Sequence, residues 1–151
     1  MVRINVGINP RLLTDQHLLA EHVEILMLVS KFRNDGFIIN NIPSQFTLGT
    51  GHINFFKNKL TYLCNRYSSI MTEMLARNFN ASEYIQVASI IESAPKSLLN
   101  NYYPTLKDSM MVRERIIDKI KAKKGWYRYY GSDEFDQNLY FDCLLKSEVY
   151  E

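Results

Sequence analysis

The chain has 151 residues, about the length of one domain; 46% of them are hydrophobic and 23% are charged. These fractions are those of an ordinary globular protein and exclude a disordered or fibrous chain. With only 6 glycines and 4 prolines, the composition disfavours a many-turned β-sandwich and favours long helices.

Charge is unevenly distributed along the chain, although the net charge is only +2. Residues 107–128 carry eight basic and three acidic side chains, a local charge of +5. Residues 132–151 carry six acidic side chains and one lysine, a local charge of −5. The basic segment predicts a polyanionic partner, and we expect the acidic tail to shield or steer it.

The cysteines and the apolar runs indicate a reduced compartment and no membrane partner. Cys64 and Cys143 show no metal-ligand spacing, which predicts neither a zinc site nor a disulfide framework. The longest apolar run, residues 25–29, is too short to span a bilayer, and the first residues lack the layout of a signal peptide. We therefore expect a cytoplasmic protein.

A first long helix is predicted over residues 15–33. Asn9-Pro10 opens a short turn before it, and Thr14 is expected to cap it. The apolar positions cover well over half of the helical wheel, which predicts a helix in the middle of the domain. These positions are Leu18, Leu19, Val23, Ile25, Leu26, Met27 and Val29, with Ser30. The polar residues that remain form a narrow stripe of His17, Glu21 and Glu24.

A second long helix is predicted from Gly51 to about residue 77, because apolar residues keep a 3.6-residue period for roughly seven turns. A short third helix is predicted after Asn80, with Glu83 completing a capping box.

A fourth helix is predicted over residues 106–122, with Thr105 as its cap and Asp108 at the third position. Few segments alternate at period two, so strands are not expected. The predicted fold is all-α: a single compact domain of about three long helices with short helical turns, plus an extra acidic C-terminal tail.

The run from Trp126 to Gly131 interleaves aromatic and basic residues. Rings stack on bases while cations neutralise phosphates, so this pattern indicates nucleic-acid binding. An aromatic segment folded against the core is the competing interpretation. Basic residues on the preceding helix favour nucleic acid over a solvated helix face: Arg113, Arg115, Lys119 and Lys123.

Glu24 is the candidate acid or base, although a lone helical glutamate is more commonly ion-paired or partly exposed. A histidine such as His17 is more often packed and hydrogen-bonded than catalytic. The loop 47–51 could hold a phosphate on its backbone amides, or its glycines could simply allow the chain to turn into the next helix.

Three blocks of sequence occur in an order that resembles a known family. The first comprises Arg3-Ile-Asn5, Asp15-Gln-His-Leu-Leu-Ala-Glu21 and Glu24; the second comprises Phe46-Thr-Leu-Gly-Thr-Gly-His52, Phe55-Phe56 and Lys59-Leu60; the third is Trp126-Tyr-Arg-Tyr-Tyr-Gly131. Together they resemble the phage-type pyrimidine-dimer DNA glycosylases, the endonuclease V type with AP-lyase activity. The expected domain covers residues 1–131, and residues 132–151 are an additional acidic extension.

The resemblance implies a DNA repair N-glycosylase with AP-lyase (β-elimination) activity on ultraviolet pyrimidine dimers in duplex DNA. It assigns the nucleophile to the α-amine of Val2, exposed when Met1 is removed, and the catalytic carboxylate to Glu24. The amine would form an imine with the sugar. Because its pKa is roughly 7.7–8.0 against about 10.4 for a lysine amine, far more of it is unprotonated near neutrality.

The implied partner is damaged double-stranded DNA, reached by flipping a base, with no metal and no cofactor. A monomer is expected, in the host cell cytoplasm if a phage encodes the protein. The implied DNA-binding residues are Arg3, Gln16, His17, Arg115, Lys119, Trp126, Tyr127, Arg128 and Tyr129.

The chain departs from the family pattern beside Glu24. Val23 stands where the family carries Arg, and Leu26 and Met27 stand where it carries Pro and Arg. The lesion is therefore open: the alternatives are a divergent member acting on another modified base or an abasic site, or a non-catalytic nucleic-acid-binding module.

Overall fold

Helices make up the regular structure of the chain. The computed structural model describes residues 3–81 and 84–151. The α-helices, in chain order, are α1 (Asp15–Asn34), α2 (His52–Phe55), α3 (Leu60–Ala76), α4 (Tyr84–Glu92), α5 (Leu106–Ala122) and α6 (Gln137–Lys146). Short 3-10 turns cover Pro10–Leu12 and Lys96–Leu98.

The all-α prediction is confirmed. Over residues 3–81 and 84–151 the chain forms no strand, and an isolated bridge joins Tyr129 and Ser132. The long helices number three, as predicted: α1 has 20 residues, and α3 and α5 have 17 each.

The chain forms two compact units. Among the described residues, the first contains residues 3–4 and Glu21–Tyr102; the second contains Asn5–Ala20 and Tyr103–Glu151. Helix α1 is continuous and contributes residues 15–20 to the second unit and the remainder to the first.

Side-chain caps start the helices where the sequence predicts them. The Thr14 hydroxyl accepts a hydrogen bond from the backbone N–H of His17 at 3.2 Å, which caps α1. Thr105 and Asp108 form the complete capping box of α5. The predicted third helix is α4, while Glu83, its proposed capping residue, lies outside the described residues.

Helix α1 is held to α3 in the first unit by a buried ion pair. Arg66 donates from Nε and Nη2 to the two carboxylate oxygens of Glu21 at 2.6 and 3.0 Å. Next to it, the Tyr67 hydroxyl and His22 Nε2 share a hydrogen bond of 2.8 Å. Glu21, predicted on a polar stripe, is therefore part of the interior, because a cation 45 positions away compensates its charge.

The apolar face of α1 is narrower than predicted. Ile25, Leu28 and Val29 are buried, but Val23 is 51% and Met27 60% exposed, and Leu19 is also exposed. A helical wheel shows where apolar residues lie around a helix. It does not show which face packs against the rest of the protein. These three positions lie one turn apart and form a row outside the core.

The prediction of one uninterrupted helix from Gly51 to residue 77 is wrong. Helix α2 ends at Phe55, and α3 begins at Leu60 after Lys59, whose φ of −127° is not helical. The ammonium of Lys59 donates to the Phe55 carbonyl at 2.8 Å and lies 3.8 Å from the Phe55 ring centroid. This contact satisfies the end of α2, so the chain can turn while its apolar residues still enter the core.

Gly51 supports the turning interpretation of the loop 47–51. Its φ of +96° lies in the left-handed region, and a Cβ there would come within 2.8 Å of the Pro43 side chain. Glycine at this position therefore permits the turn, and helix α2 begins directly after it.

The acidic tail contains helix α6, which packs in the second unit. The Asp136 carboxylate caps α6 by accepting from the backbone N–H of Leu139, and Tyr140 and Leu144 are buried. The Tyr140 hydroxyl donates to the carbonyl of Leu12. Residues 136–144 are therefore an integral part of the unit rather than a free tail.

Arg113 lies inside the second unit, not on the basic surface where the sequence placed it. It is fully buried, and its Nη1 donates to the carbonyls of Leu145 and Ser147 at 3.0 and 2.8 Å. Its Nε donates to the Ser109 hydroxyl at 2.9 Å. Burial lowers the pKa of Arg113 from its ordinary value. Arg113 thus binds the end of α6 to α5.

Candidate functional site

Glu24 is the half-buried carboxylate on the part of α1 that belongs to the first unit. Burial raises the pKa of Glu24 above its ordinary value, and the positive charge of Arg3 acts in the opposite direction. A carboxyl group in this setting holds a proton at higher pH than an exposed one. It can therefore give and take a proton nearer to neutrality.

The start of the described chain is tied to the loop that precedes α2. Arg3 Nε donates to the carbonyl of Leu48 at 2.7 Å, and the backbone N–H of Ile4 donates to His52 Nε2 at 3.1 Å. Because Nε2 accepts, the ring hydrogen is on Nδ1, which donates to the Thr47 carbonyl at 2.8 Å. His52 thus fixes the backbone of Ile4, and the Leu48 carbonyl fixes the side chain of Arg3. Val2, the expected nucleophile, lies outside the described residues.

A cavity of about 430 Å³ opens beside Arg3 in the first unit. Its lining includes two cationic side chains, Arg3 and Lys31, and residues 49–54. Lys31 also pairs with Asp35 at 2.8 Å. Lys31 is not among the residues predicted from the sequence; its spacing of i+4 from Met27 on α1 is the signal that points to it.

Gln16 holds the aromatic segment of the second unit. Its amide donates to the carbonyl of Trp126 at 2.7 Å and accepts from the backbone N–H of Arg128 at 2.8 Å. Asp15 adds two bonds, donating from its N–H to the Arg128 carbonyl at 2.7 Å and accepting from the N–H of Gly131 at 2.8 Å. The first turn of α1 is therefore the support on which this segment rests.

His17 is buried and stacks on Tyr127, with ring centroids 4.8 Å apart and planes 5° from parallel. Its Nδ1 lies 2.6 Å from the Thr14 hydroxyl. Burial, followed by the charges of Arg115 and Lys119, lowers the pKa of His17 to about 4. The imidazole is neutral at pH 7, which agrees with an Nδ1 that accepts the Thr14 hydroxyl hydrogen.

The aromatic segment divides between surface and interior. Trp126 is 53% exposed, and Lys123 Nζ lies 4.8 Å from its ring centroid. Tyr127 is buried, and Tyr129 packs with its hydroxyl donating to the Arg11 carbonyl at 2.7 Å. The run thus divides: Trp126 lies at the surface with the Lys123 ammonium beside its ring, whereas Tyr127 and Tyr129 are folded against the unit.

The basic residues around this segment vary in accessibility. Lys119 and Arg128 are exposed and Arg115 is half-buried. The positive charges of Arg115 and Lys119 both help to lower the pKa of His17, so these charges lie near its ring. The second unit therefore contains His17, Trp126 and the three cations Arg115, Lys119 and Arg128.

Neither a metal centre nor a membrane span is found in residues 3–81 and 84–151. These residues contain no group of three or more His, Cys, Asp or Glu side chains that could hold a metal ion. No helix among them is long and apolar enough to cross a bilayer.

A comparison with protein families identifies the family of this chain. The family model described as Pyrimidine dimer DNA glycosylase matches residues 1–87, which is more than half of the 151-residue chain. The matched stretch contains Arg3, Gln16, His17 and Glu24, together with the loop 47–51 and His52. The chain therefore belongs to the pyrimidine dimer DNA glycosylase family, whose substrate is DNA.

Proposed function

We propose that this protein is a DNA glycosylase with AP-lyase activity that acts through the α-amine of Val2 and the carboxylate of Glu24. The observation that carries the proposal is the setting of Glu24: a half-buried carboxylate with a raised pKa, within electrostatic reach of Arg3, the residue that follows Val2. This chemistry requires an amine that attacks the sugar and a carboxyl group near the same sugar that exchanges protons with it.

In the first step, C1′ loses its bonds to the base and to the ring oxygen and gains a double bond to the amine nitrogen. The amine lone pair attacks C1′ of the damaged nucleotide, the bond from C1′ to the base breaks, and the base leaves with that electron pair and takes up a proton. The amine loses a proton, the bond from C1′ to the ring oxygen breaks, and an iminium joins the protein to the opened sugar. Glu24, protonated more readily than an exposed glutamate, would donate the proton that the ring oxygen needs.

The second step cuts the strand. As a carboxylate, Glu24 would remove a proton from C2′, and the electron pair of that C–H bond forms a double bond between C2′ and C3′. The bond from C3′ to its phosphate oxygen breaks, and its electron pair leaves with that oxygen. Both steps move only protons and electron pairs, so neither requires a metal or an oxidant. The same side chain thus acts first as acid and then as base, which its raised pKa supports.

The DNA-binding role proposed for the second unit is supported by its exposed ring and cations. Trp126 offers a face for base stacking, while Arg115, Lys119 and Arg128 offer charges for phosphates. Gln16 and Tyr129 would contribute by holding this segment, and His17 and Tyr127 by the stacked pair beside it.

A second candidate function is favoured by the exposed Val23 and Met27, which stand where the family carries arginines. Without those cations, a member acting on abasic sites or on another modified base is the alternative to one that prefers pyrimidine dimers.

Borohydride trapping tests the chemistry. Protein free of Met1, verified by N-terminal mass spectrometry, is mixed with an abasic duplex or a duplex carrying a cyclobutane dimer. Sodium borohydride reduces the imine, so a covalent adduct of protein plus DNA is expected on both duplexes. An adduct on abasic DNA alone would favour the second candidate. The absence of an adduct on either duplex would refute the proposal.

Two variants separate the roles of the amine and the acid. Val2→Leu keeps Met1 and displaces the amine by one residue, so trapping is expected to disappear. Glu24→Gln is expected to lower strand cleavage at least 100-fold, because general acid–base catalysis contributes that much. Glu92→Gln, an exposed glutamate on α4, is the matched control. If Glu24→Gln cleaves like the control, Glu24 is not the catalytic acid and base. Wild-type protein that binds DNA but neither cleaves it nor is trapped would be a binding module without this chemistry.

A further inference from the structure

Helix α1 has a second apolar feature outside its buried face. Ile25, Leu28 and Val29 face the core of the first unit, whereas Val23 and Met27, four positions apart, are both more than half exposed. Positions four apart lie above one another on a helix, so the two side chains form a short apolar ridge.

The position of this ridge distinguishes it from scattered surface hydrophobes, which are common. Val23 directly precedes Glu24, the proposed catalytic carboxylate, and Met27 lies three positions after it on the same helix. Any sugar that reaches Glu24 therefore brings its nucleotide and the neighbouring base pairs close to these two side chains.

Cationic side chains border the ridge, but neither residue of the ridge is charged. Lys31 continues the row one turn beyond Met27, and the charge of Arg3 reaches Glu24. Arg3 and Lys31 also line one cavity. Phosphates would be held by these cations. Val23 and Met27 have no hydrogen-bond donor, so the DNA atoms that suit them are base faces, sugar carbons or methyl groups.

Base faces become accessible to such side chains where the stack is interrupted. Met and other apolar residues that enter a base step unstack it, and the cost is smallest where a base is missing or damaged. We propose that Val23 and Met27 form an apolar wedge that enters the base stack beside the nucleotide held at Glu24. The inference rests on the proposed function, and it identifies the preferred substrates as duplexes whose stacking is already broken.

The wedge is tested with a duplex on which no chemistry can occur. A tetrahydrofuran abasic analogue is placed opposite 2-aminopurine, whose fluorescence rises when it unstacks, and binding is measured by fluorescence anisotropy. Wild-type protein is expected to bind this duplex at least tenfold more tightly than an intact one and to raise the fluorescence. The double variant Val23→Ser/Met27→Ser is expected to lose both effects, while its affinity for the intact duplex stays within about twofold.

Matched controls separate the wedge from loss of apolar surface. Leu75 and Ile85 are 62% and 80% exposed on α3 and α4 of the same unit, so Leu75→Ser/Ile85→Ser should behave as wild type. Met27→Leu should keep the fluorescence rise. Met27→Arg should tighten binding to both duplexes and steepen the salt dependence by about one phosphate contact, without that rise.

The outcomes discriminate between the two proposals. A double serine variant that still prefers the analogue and still raises the fluorescence overturns the wedge, whether or not wild-type protein is trapped by borohydride. Wild-type protein that raises the fluorescence but gives no adduct on a true abasic site supports the wedge and removes the proposed chemistry. Circular dichroism of each variant verifies that it is folded.

Discussion

At the scale of single residues, the chain places ionisable groups where burial changes their chemistry. Glu24 has a raised pKa and His17 a lowered one, and in both cases burial is the largest cause. Each group therefore favours its neutral form. In His17 the ring becomes a neutral packing surface for Tyr127, while in Glu24 the carboxyl becomes a proton carrier.

His17 is expected to make stability fall in acid. In the unfolded chain the imidazole takes up a proton below about pH 6.5, whereas in the folded protein it stays neutral down to about pH 4. The stability that depends on neutral His17 is thus complete above pH 6.5 and is lost as the pH falls towards 4. The expected loss is about 3 kcal/mol. Urea unfolding of wild type and His17→Gln at pH 7 and pH 4 measures it, and parallel losses in both proteins would contradict it.

The pair of Glu21 and Arg66 is expected to be sensitive to the loss of one partner. Arg66→Met leaves a buried carboxylate without its cation and should lower the free energy of unfolding by about 3–5 kcal/mol. The double variant Glu21→Leu/Arg66→Met should recover most of this loss. Lys146→Met, which breaks an exposed pair with Asp142, should change stability by less than about 1 kcal/mol. Equal losses in the single and double variants would show that packing, not charge, dominates.

At the scale of elements, the first turn of α1 supports a segment more than 100 positions away. The amide of Gln16 bonds both sides of Tyr127 through the backbone of Trp126 and Arg128. A helix end usually leaves its N–H groups to caps or water. Here Thr14 takes one of them, and the carbonyl of Arg128 takes that of Asp15.

Removal of the Gln16 amide should loosen this segment. Gln16→Ala deletes two hydrogen bonds and should lower the free energy of unfolding by about 1–3 kcal/mol. Trp126 is the single tryptophan of the chain, so its fluorescence anisotropy reports the segment directly and should fall. Gln16→Glu keeps the acceptor for Arg128 and loses the donor to Trp126, so an intermediate effect is expected. Gln86→Ala, exposed on α4, is the control, and anisotropy unchanged from it would contradict the prediction.

At the scale of the whole molecule, charge and packing of the C-terminal segment have separate effects. The segment is acidic, yet Arg113 holds its backbone carbonyls at residues 145 and 147, and Gly7 accepts from the N–H of Tyr150 at 3.0 Å. Gly7 has a φ of +73°, and a Cβ there would lie 2.7 Å from Ser109. These contacts belong to the interior of the second unit, whereas Asp133 and Glu134 are exposed.

Truncation of the segment should therefore destabilise the protein. Deleting residues 136–151 removes the two carbonyl partners of Arg113 together with the buried side chains of Tyr140 and Leu144, and we expect the free energy of unfolding to fall by at least about 3 kcal/mol, measured by urea unfolding. A truncated protein as stable as wild type would contradict this.

Neutralising the tail charge tests its effect on DNA independently. Asp133→Asn/Glu134→Gln changes two exposed carboxylates and should leave stability within about 0.5 kcal/mol. If the tail charge shields the basic residues, this variant binds intact duplex more tightly at low salt, and the difference fades near 0.2 M salt. Unchanged affinity at low salt would show that the tail does not act through charge.

The parts of the fold that follow from local sequence were predictable. Thr14, Thr105 and Asp108 start their helices because a cap needs only a side chain and the three residues after it. Apolar periodicity predicted the three long helices because it, too, depends only on neighbours along the chain. The family resemblance rested on short blocks in order, and the match over residues 1–87 confirmed the family.

The candidate site was predictable only in the identity of its residues. Arg3, Gln16, His17 and Glu24 were selected by resemblance, but the attachment of Gln16 to the aromatic segment and the stacking of His17 on Tyr127 were not foreseen. Both contacts join residues 110 positions apart. Linear spacing carries no signal for such a pair.

By itself, the sequence determined the three long helices, the caps of α1 and α5 and the family to which the chain belongs, because each depends on neighbours along the chain. It did not predict helix α6. Only the tertiary structure decided that Glu21 and Arg113 are buried, that Val23 and Met27 are exposed and that the chain breaks between Phe55 and Leu60. Burial of a charge requires a partner brought near by folding, and exposure of an apolar side chain reflects the lack of packing on that face.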